Sequence, residues 1–524
     1  MNVPRRRSAD KAVRHARELG PGASPVDSGG ARRYGSTMID RYSSKARRRS
    51  CRMARAASLL ALGMASSLAA ASADGLPPSL VSARAADVAI DDPRVPPAIA
   101  ARLPAPLTDT DFRTTDPARV ELGRLLFHEP LLSGNRNIAC STCHHSTLAS
   151  ADGTSLGVGE GGLGLGPARR TGPGRTSLKH RVPRHSPALF NLGAHEFTTL
   201  FHDGRVTLAP DEPRGYDTPA EEYLPDGLPS VLAAQALFPL LAEIEMAGSV
   251  DSNDVAAAAA RRRDHGWRVI ERRLRDSEAW LPPFVRAFPS VRRAADIDIV
   301  HVAHALDDFI NAEWRASASP FDHWLAGDVT ALDDDAVAGL VVFHGKGGCD
   351  RCHAGPLQTD HAFHALMLPP LGPGRTRAFD SSNRDPGRMN VTDDPADAYR
   401  FRTPSLRNVA RTAPYGHAGT FATLEGIVRH HLDPRGSLAR WNRTQAILFD
   451  DPRFAANDFL IHEDAREMAR YARHLDLAPT ALDDEEIDHL LAFLDALTDE
   501  RSLSGSLGPP AAVPSGLPLD QLTD

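Results

Sequence analysis

The amino-acid sequence predicts a mainly α-helical protein built from two tandem copies of one module, with few short strands. Three observations predict it. One block of motifs recurs in the same order in both halves of the chain. Apolar residues return at helical spacing just before each block and again near residue 490. Strand signals are weak throughout, while glycine and proline crowd the segments between helices. At 524 residues, 42% hydrophobic and 24% charged, the chain has ordinary globular composition and length for two or three domains.

The N-terminal segment stands apart. The formal charge of −7 divides into +11 for residues 1–73, which hold 15 Lys/Arg against 4 Asp/Glu, and −18 for the rest. Arg47, Arg48, Arg49, Arg52 and Arg55 precede an apolar run from Ala56 to Ala71, and Ala71-Ser72-Ala73 matches a small-residue cleavage site. These are the three parts of a secretory signal peptide, so residues 1–73 are expected to be a leader cleaved near Ala73 and the mature chain periplasmic. No later stretch approaches ~18 uninterrupted apolar residues, and no stable membrane insertion is expected. The acidic body argues against a nucleic-acid partner, which rewards basic surface. It suits a basic protein partner, and it equally suits a solvated surface kept for solubility.

Cysteine usage carries the chemistry. Of five cysteines, Cys51 lies in the leader, and the other four form Cys140-Ser141-Thr142-Cys143-His144 and Cys349-Asp350-Arg351-Cys352-His353. Both are C-x-x-C-H, the attachment signature of haem c. Two thiols one turn apart reach the two vinyl groups, and the adjacent imidazole then lies under the iron. Zinc would not require the histidine next door, and a redox dithiol would not require two copies. Two covalent haems, with His144 and His353 as iron ligands, are the expectation.

The flanking residues repeat as well. Gly123-Arg-Leu-Leu-Phe127-His128 precedes the first attachment motif and Gly339-Leu-Val-Val-Phe343-His344 the second. Pro187-Ala-Leu-Phe-Asn191 leads to His202-Asp-Gly204 as Pro404-Ser-Leu-Arg-Asn408 leads to His417-Ala-Gly419. Each module should open on a helix, with Leu122, Leu125 and Leu126 on one stripe and Val337, Leu340 and Val341 on the other, the latter after the acidic turn Asp333–Asp335. A last helix carries Ile487, Leu490, Leu491, Leu494 and Leu497 and should pack across the second module. The domain plan is residues 95–316, then 317–504 with Ser317–Leu332 as the link, then a disordered Pro/Gly-rich tail at 505–524. Gly153–Gly174 is a long glycine-rich loop after the first attachment site, either functional or disordered.

On these motifs the chain resembles the bacterial diheme cytochrome c peroxidase and MauG superfamily over roughly residues 105–500. The most specific stretch is Phe401-Arg-Thr-Pro-Ser-Leu-Arg-Asn-Val-Ala-Arg-Thr-Ala-Pro-Tyr-Gly-His-Ala-Gly419, followed by Thr423-Leu-Glu425. The resemblance implies two mainly helical cytochrome c-like domains, a peroxidatic haem in the first, an electron-transfer haem in the second and a calcium ion between them. It also implies a distal glutamine and glutamate ten residues apart, which Gln235 and Glu245 match. Glu245 would then move the peroxide proton; read without the resemblance, it is a glutamate ending a helix.

The chain departs from the family pattern at several positions. The loop Gly153–Gly174 contains no histidine to cap the first iron, which implies an open site; His180 and His185 are the nearest alternatives. The distal ligand of the second iron, methionine in most peroxidases and tyrosine in MauG, falls on His431, with Met367 and His430 as competitors. The tryptophan between the haems is replaced by His202. For calcium, Thr412 and Pro414 match the carbonyl donors, but the matching asparagine position holds His185.

Three functions are consistent with these residues: a periplasmic peroxidase reducing hydrogen peroxide with electrons from a small cytochrome c or cupredoxin, a MauG-type oxidase modifying Trp or Tyr of a protein substrate, and a non-enzymatic diheme electron carrier. Gln235 and Glu245 argue against the carrier, which needs no distal acid. Trp314 and Trp324 flank the link as packing residues or as stations for electron holes.

Overall fold

Each module opens on a helix whose ends are written in the local sequence. In the computed structural model, which describes residues 90–174, 177–376 and 384–520, α1 spans Pro117–Phe127. Asp116 caps it, accepting from the Ala118 and Arg119 amides at 2.9 and 3.0 Å, and Pro117 occupies the position where no amide is needed. Helices α2 (Val231–Ala236), α3 (Asp254–Arg261), α4 (Arg263–Arg275) and α5 (Ile299–Glu313) are the main further helices of the first module. The second opens on α6 (Asp334–His344), capped by Asp333 through the Ala336 amide at 2.8 Å, and continues with α7 (Leu424–Leu432), α8 (Ala465–Arg473) and α9 (Asp484–Asp495). As expected, Leu122 and Leu126 are buried in the first core, and Val337, Leu340, Leu490 and Leu494 in the second.

Strands are few and short. β1 (Gly162–Leu163) pairs antiparallel with β2 (Arg170–Thr171) within the glycine-rich loop. β3 (Thr199–Leu200), β4 (Val206–Leu208) and β5 (Tyr216–Asp217) form an antiparallel meander, and β6 (Phe363–His364) pairs with β7 (Phe401–Arg402). Among the described residues no helix is long and apolar enough to cross a membrane. The leader and its cleavage site lie outside the described residues.

The sequence repeat is a structural repeat. A Cβ on Gly123 would stand 1.9 Å from the Ala305 carbonyl oxygen, and one on Gly339 would stand 1.9 Å from that of His489. Both glycines therefore let α1 and α6 touch the backbone of the helices that cross them, α5 and α9. Asn191 and Asn408 are likewise equivalent. Each is left-handed (φ 61° and 60°), and each donates its backbone N–H to a carbonyl just past its crossing helix, Trp314 O at 2.9 Å and Leu497 O at 3.1 Å. Their side chains complete the clamp, through the Ala316 amide at 2.8 Å and the Asp499 amide at 2.8 Å.

The module boundaries differ from the expected ones because apolar groups cross between cores. Val95, Ile99 and Leu103, placed by the sequence with the first module, are buried in the second core, and Leu357 is buried in the first. The segment Ser317–Leu332 does more than connect: Phe321, Trp324 and Leu325 belong to the second core, and Trp324 Nε1 donates to Asp92 at 2.9 Å. The tail is corrected as well. Described as far as Asp520, it runs over the first module, with Leu517 packed on the first core and Val513 buried. The physical reason lies in buried carboxylates that need partners. Ser515 Oγ donates to the fully buried Glu129 at 2.6 Å, and Glu313 accepts from the Leu507 and Gly508 amides at 2.7 and 2.9 Å.

Candidate functional site

The two attachment motifs fold alike. Cys140–Cys143 forms one helical turn and Cys349–Arg351 another, so in each motif the two sulfurs are a turn apart; none of the four is in a disulfide. Each motif histidine is oriented by a carbonyl from the chain that follows. His144 Nδ1 donates to Ser150 O at 3.0 Å and His353 Nδ1 to Gln358 O at 3.0 Å. Ser150 and Gln358 both have positive φ (57° and 46°), which turns their carbonyls back toward the rings. A tethered Nδ1 leaves Nε2 as the donor for a metal, the usual outer-sphere arrangement of a ligating imidazole.

Burial argues against redox dithiols. It pushes the Cys140 and Cys143 thiols up to about 12, where thiolate is scarce.

The second module offers a further imidazole. His431, on α7, donates Nδ1 to Ile427 O at 2.8 Å, and its charge would be felt at His353. Its competitors are committed elsewhere. His430 is fully buried with both nitrogens engaged, Nδ1 at 3.1 Å from Ser437 Oγ and Nε2 at 2.9 Å from Leu366 O. Met367 packs with Met389, Tyr399 and Tyr471.

The second module also holds orphaned polar atoms. Arg402 Nε and both nitrogens of His361 are buried without a hydrogen-bond partner among the described residues. Burial pulls the Arg402 guanidinium down to about 10, and no described carboxylate answers it. Such unpaired donors fit a group that brings its own anionic carboxylates, as the propionates of haem do.

On the first module, Gln235 lies on α2 and Glu245 in the single π-helical turn Glu243–Ala247, both half-buried. Such turns recur at functional sites because they re-aim side chains out of helical register. The Glu245 carboxylate makes no hydrogen bond to the described residues, and its charge is felt at Cys143 and Arg205. The glycine-rich loop packs against this turn. Gly159 lies so close to it that a Cβ would stand 2.0 Å from Ile244 O, and the Glu160 amide donates to Glu245 O at 2.9 Å. Arg169, buried, pins the loop by donating to Val158 O at 2.6 Å, Gly164 O at 2.6 Å and Gly159 O at 3.0 Å. Sequence reasoning missed Arg169; the Arg169-Arg170 pair inside a glycine-rich loop was its only signal.

Between the modules lies a buried ionic knot. Asp203, fully buried, meets Arg184 at 2.8 Å and Arg205 at 3.0 Å, and Arg184 also meets Asp385 at 2.7 Å. The arginines hold the Asp203 carboxyl far below the usual range despite burial. His202 lies in this knot, Nε2 at 3.3 Å from His185 O, and its carbonyl accepts from the Arg402 amide at 2.8 Å, which ties the modules together. Burial and the neighbouring Arg184 push its pKa well down, so it is neutral. His180 is exposed, and Trp314 and Trp324 are fully packed.

At the position where the resemblance implies an asparagine ligand for calcium the chain has His185, whose Nδ1 is bound to Thr154 O at 2.8 Å and lies 3.9 Å from the buried Asp152 carboxylate. An imidazole is a poor ligand for this hard cation, so this residue does not fit that role. Elsewhere, Cys352, Asp360 and His364 are close enough to share an ion, but Cys352 is an attachment sulfur and His364 Nε2 is bonded to Asp360 at 2.8 Å.

The chain is similar to known proteins. The family model described as di-haem cytochrome c peroxidase matches residues 117–330. The methylamine utilization protein MauG of Methylorubrum extorquens is 30% identical over 319 residues, 60% of this chain and 69% of that protein. The cytochrome-c peroxidase IdrP1 of Denitromonas iodatirespirans is 32% identical over 368 residues, 66% of this chain and 79% of its own length. The crystal structure of the diheme peroxidase BthA from Burkholderia thailandensis shares the fold, with a TM-score of 0.50 and 22% identity over 79% of this chain and 94% of that one. With paired attachment motifs, a repeated helical module and these relatives, the chain belongs to the di-haem cytochrome c peroxidase family, oxidoreductases that act on peroxide with two c-type haems.

Proposed function

We propose that this chain is a periplasmic diheme peroxidase that takes electrons from a small redox protein, a cytochrome c or a cupredoxin, and delivers them to hydrogen peroxide at the first module. The observation that carries the reading is the Glu245 carboxylate, aimed by a π-helical turn, without a hydrogen-bond partner among the described residues and within electrostatic reach of Cys143. An electron carrier has no use for such a group.

Bound haem supplies the redox-active iron at each module. Around it the chain's own residues divide the work. Cys140 and Cys143 would anchor one group and Cys349 and Cys352 the other. His144, its ring fixed by Ser150 O, would hold the first iron. Glu245 would serve as the base and then the acid that moves the peroxide proton, so that water rather than hydroxide leaves. Gln235 would donate its side-chain amide to the peroxide and orient it. His353 and His431 would hold the second iron through Nε2, because each Nδ1 is tied to a carbonyl. Arg402 and His361 would meet the propionates.

A second reading is a MauG-type oxidase that draws electrons from a protein's Trp or Tyr. His431 favours it, because two nitrogen ligands give a lower-potential haem than histidine with methionine, and MauG of Methylorubrum extorquens is among the relatives. His202 at the inter-module position favours the peroxidase. The test is a titration of the ferric holoprotein with stoichiometric hydrogen peroxide without donor, followed by optical and Mössbauer spectroscopy. Rapid decay, with turnover only when a reduced cytochrome or cupredoxin is supplied, supports the peroxidase. A long-lived species with both irons oxidised would replace it with the maturation oxidase.

A further inference from the structure

Against the second module lies a cluster that the peroxide reaction does not use. Tyr399 and Tyr471 are 3% and 2% exposed, and their rings stack with centroids 4.2 Å apart at 32°. Tyr399 Oη donates to Glu467 Oε1 at 2.5 Å, and Glu467 is itself 1% exposed. Arg470 donates to the other Glu467 oxygen at 2.7 Å, and Arg384 Nη1 donates to Tyr399 Oη at 3.1 Å. Both arginines face the Glu467 carboxylate, Arg470 at 2.7 Å and Arg384 at 3.8 Å. The Tyr471 hydroxyl is buried with no partner among the described residues, a penalty that phenylalanine in the same stack would avoid. Packing alone therefore does not account for the phenols.

The position is informative. Met367 lies in the same apolar cluster as both rings, and the carbonyl of its neighbour Leu366 accepts from His430, the residue before His431. One short segment thus joins the stack to the helix that carries the proposed ligand of the second iron.

We propose that Tyr399 and Tyr471 form a redox-active pair that yields an electron toward the second haem, with Glu467 as proton acceptor. The proposal rests on the reading that peroxide oxidises the two-haem chain. Tyr399 loses one electron; its Oη–H bond breaks, and the proton forms a bond to Glu467 Oε1. A neutral phenoxyl radical on Tyr399 results, packed against the Tyr471 ring and beside a neutral carboxylic acid. The electron counts toward the two that reduce peroxide to water. A one-electron donor, the small redox protein, later refills the phenoxyl while Glu467 returns the proton.

The experiment is electron paramagnetic resonance on peroxide-treated, rapidly frozen holoprotein grown with ring-deuterated tyrosine, with haem optical spectra from the same samples. The expected result is an organic radical whose hyperfine structure collapses on deuteration and whose yield falls at least tenfold in Tyr399→Phe. Glu467→Gln, which keeps the stack but removes the base, should lose it to a similar extent and serves if Tyr399→Phe does not fold. No radical, a radical sensitive only to deuterated tryptophan, or full yield in both variants overturns the proposal. If peroxide leaves the haem spectra unchanged, the peroxide reading has failed. A photogenerated ruthenium oxidant then replaces peroxide, and absence of the tyrosyl signal there overturns the pair.

Discussion

Gly339 lies directly beneath His489, with room for a hydrogen but not for a methyl group: a Cβ would stand 1.9 Å from the His489 carbonyl oxygen. Gly123 and Ala305 repeat the relationship in the first module. Gly339→Ala should push α6 off α9 and destabilise the fold by about 1–3 kcal/mol, the usual cost of overpacking. A denaturant midpoint that does not move would show that the crossing can slide.

His431 and His430 should separate cleanly by mutation. His431→Ala is expected to alter the spectrum and raise or split the potential of the second haem, while leaving the first unchanged. His430→Ala should keep that spectrum and lower stability instead, because it strips partners from Leu366 O and Ser437. Exchange of the two phenotypes would reassign the ligand.

Glu245→Gln keeps the size of the side chain and removes its proton chemistry. Peroxide turnover should fall by roughly 10²- to 10⁴-fold, the range of a lost general acid or base, with both haem spectra preserved at rest. Unchanged turnover would remove Glu245 from the mechanism.

Chelation should be silent. With His185 at the third donor position and its Nδ1 held by Thr154 O, treatment with a calcium chelator is expected to leave spectra, thermal midpoint and turnover unaltered. A chelator-sensitive haem spectrum would require oxygen donors beyond the Thr412 and Pro414 carbonyls.

Acid should weaken the fold partly through His128. Buried, with Nδ1 bonded to Arg124 O at 2.9 Å, it has its pKa lowered to about 4 from 6.5 by desolvation. Between these values the unfolded chain binds a proton that the folded one refuses, so stability falls as pH drops from 6.5 toward 4 and is level below. The loss from this one group is roughly 3 kcal/mol. His128→Gln should flatten the slope by about that amount in denaturant titrations at pH 7 and pH 4.5; an unchanged slope would assign it to other groups.

Whatever is contiguous was legible in the sequence. The two C-x-x-C-H motifs, the acidic turn Asp333–Asp335 and the apolar stripes of α1, α6 and α9 are local patterns, and a helical turn needs only its own few residues. The repeat was legible too, because Gly123 with Gly339 and Asn191 with Asn408 meet the same backbone demand twice. Tertiary structure alone decided the matters that turn on distant partners. His430 is occupied because Leu366 lies across from it, and the tail is ordered because Glu129 and Glu313 are buried and need donors. Val95, Ile99 and Leu103 cross to the second core because that is where apolar surface is available to cover them. Spacing specifies which atoms share a turn; burial and hydrogen bonding across the fold specify which of them remain free to bind a ligand.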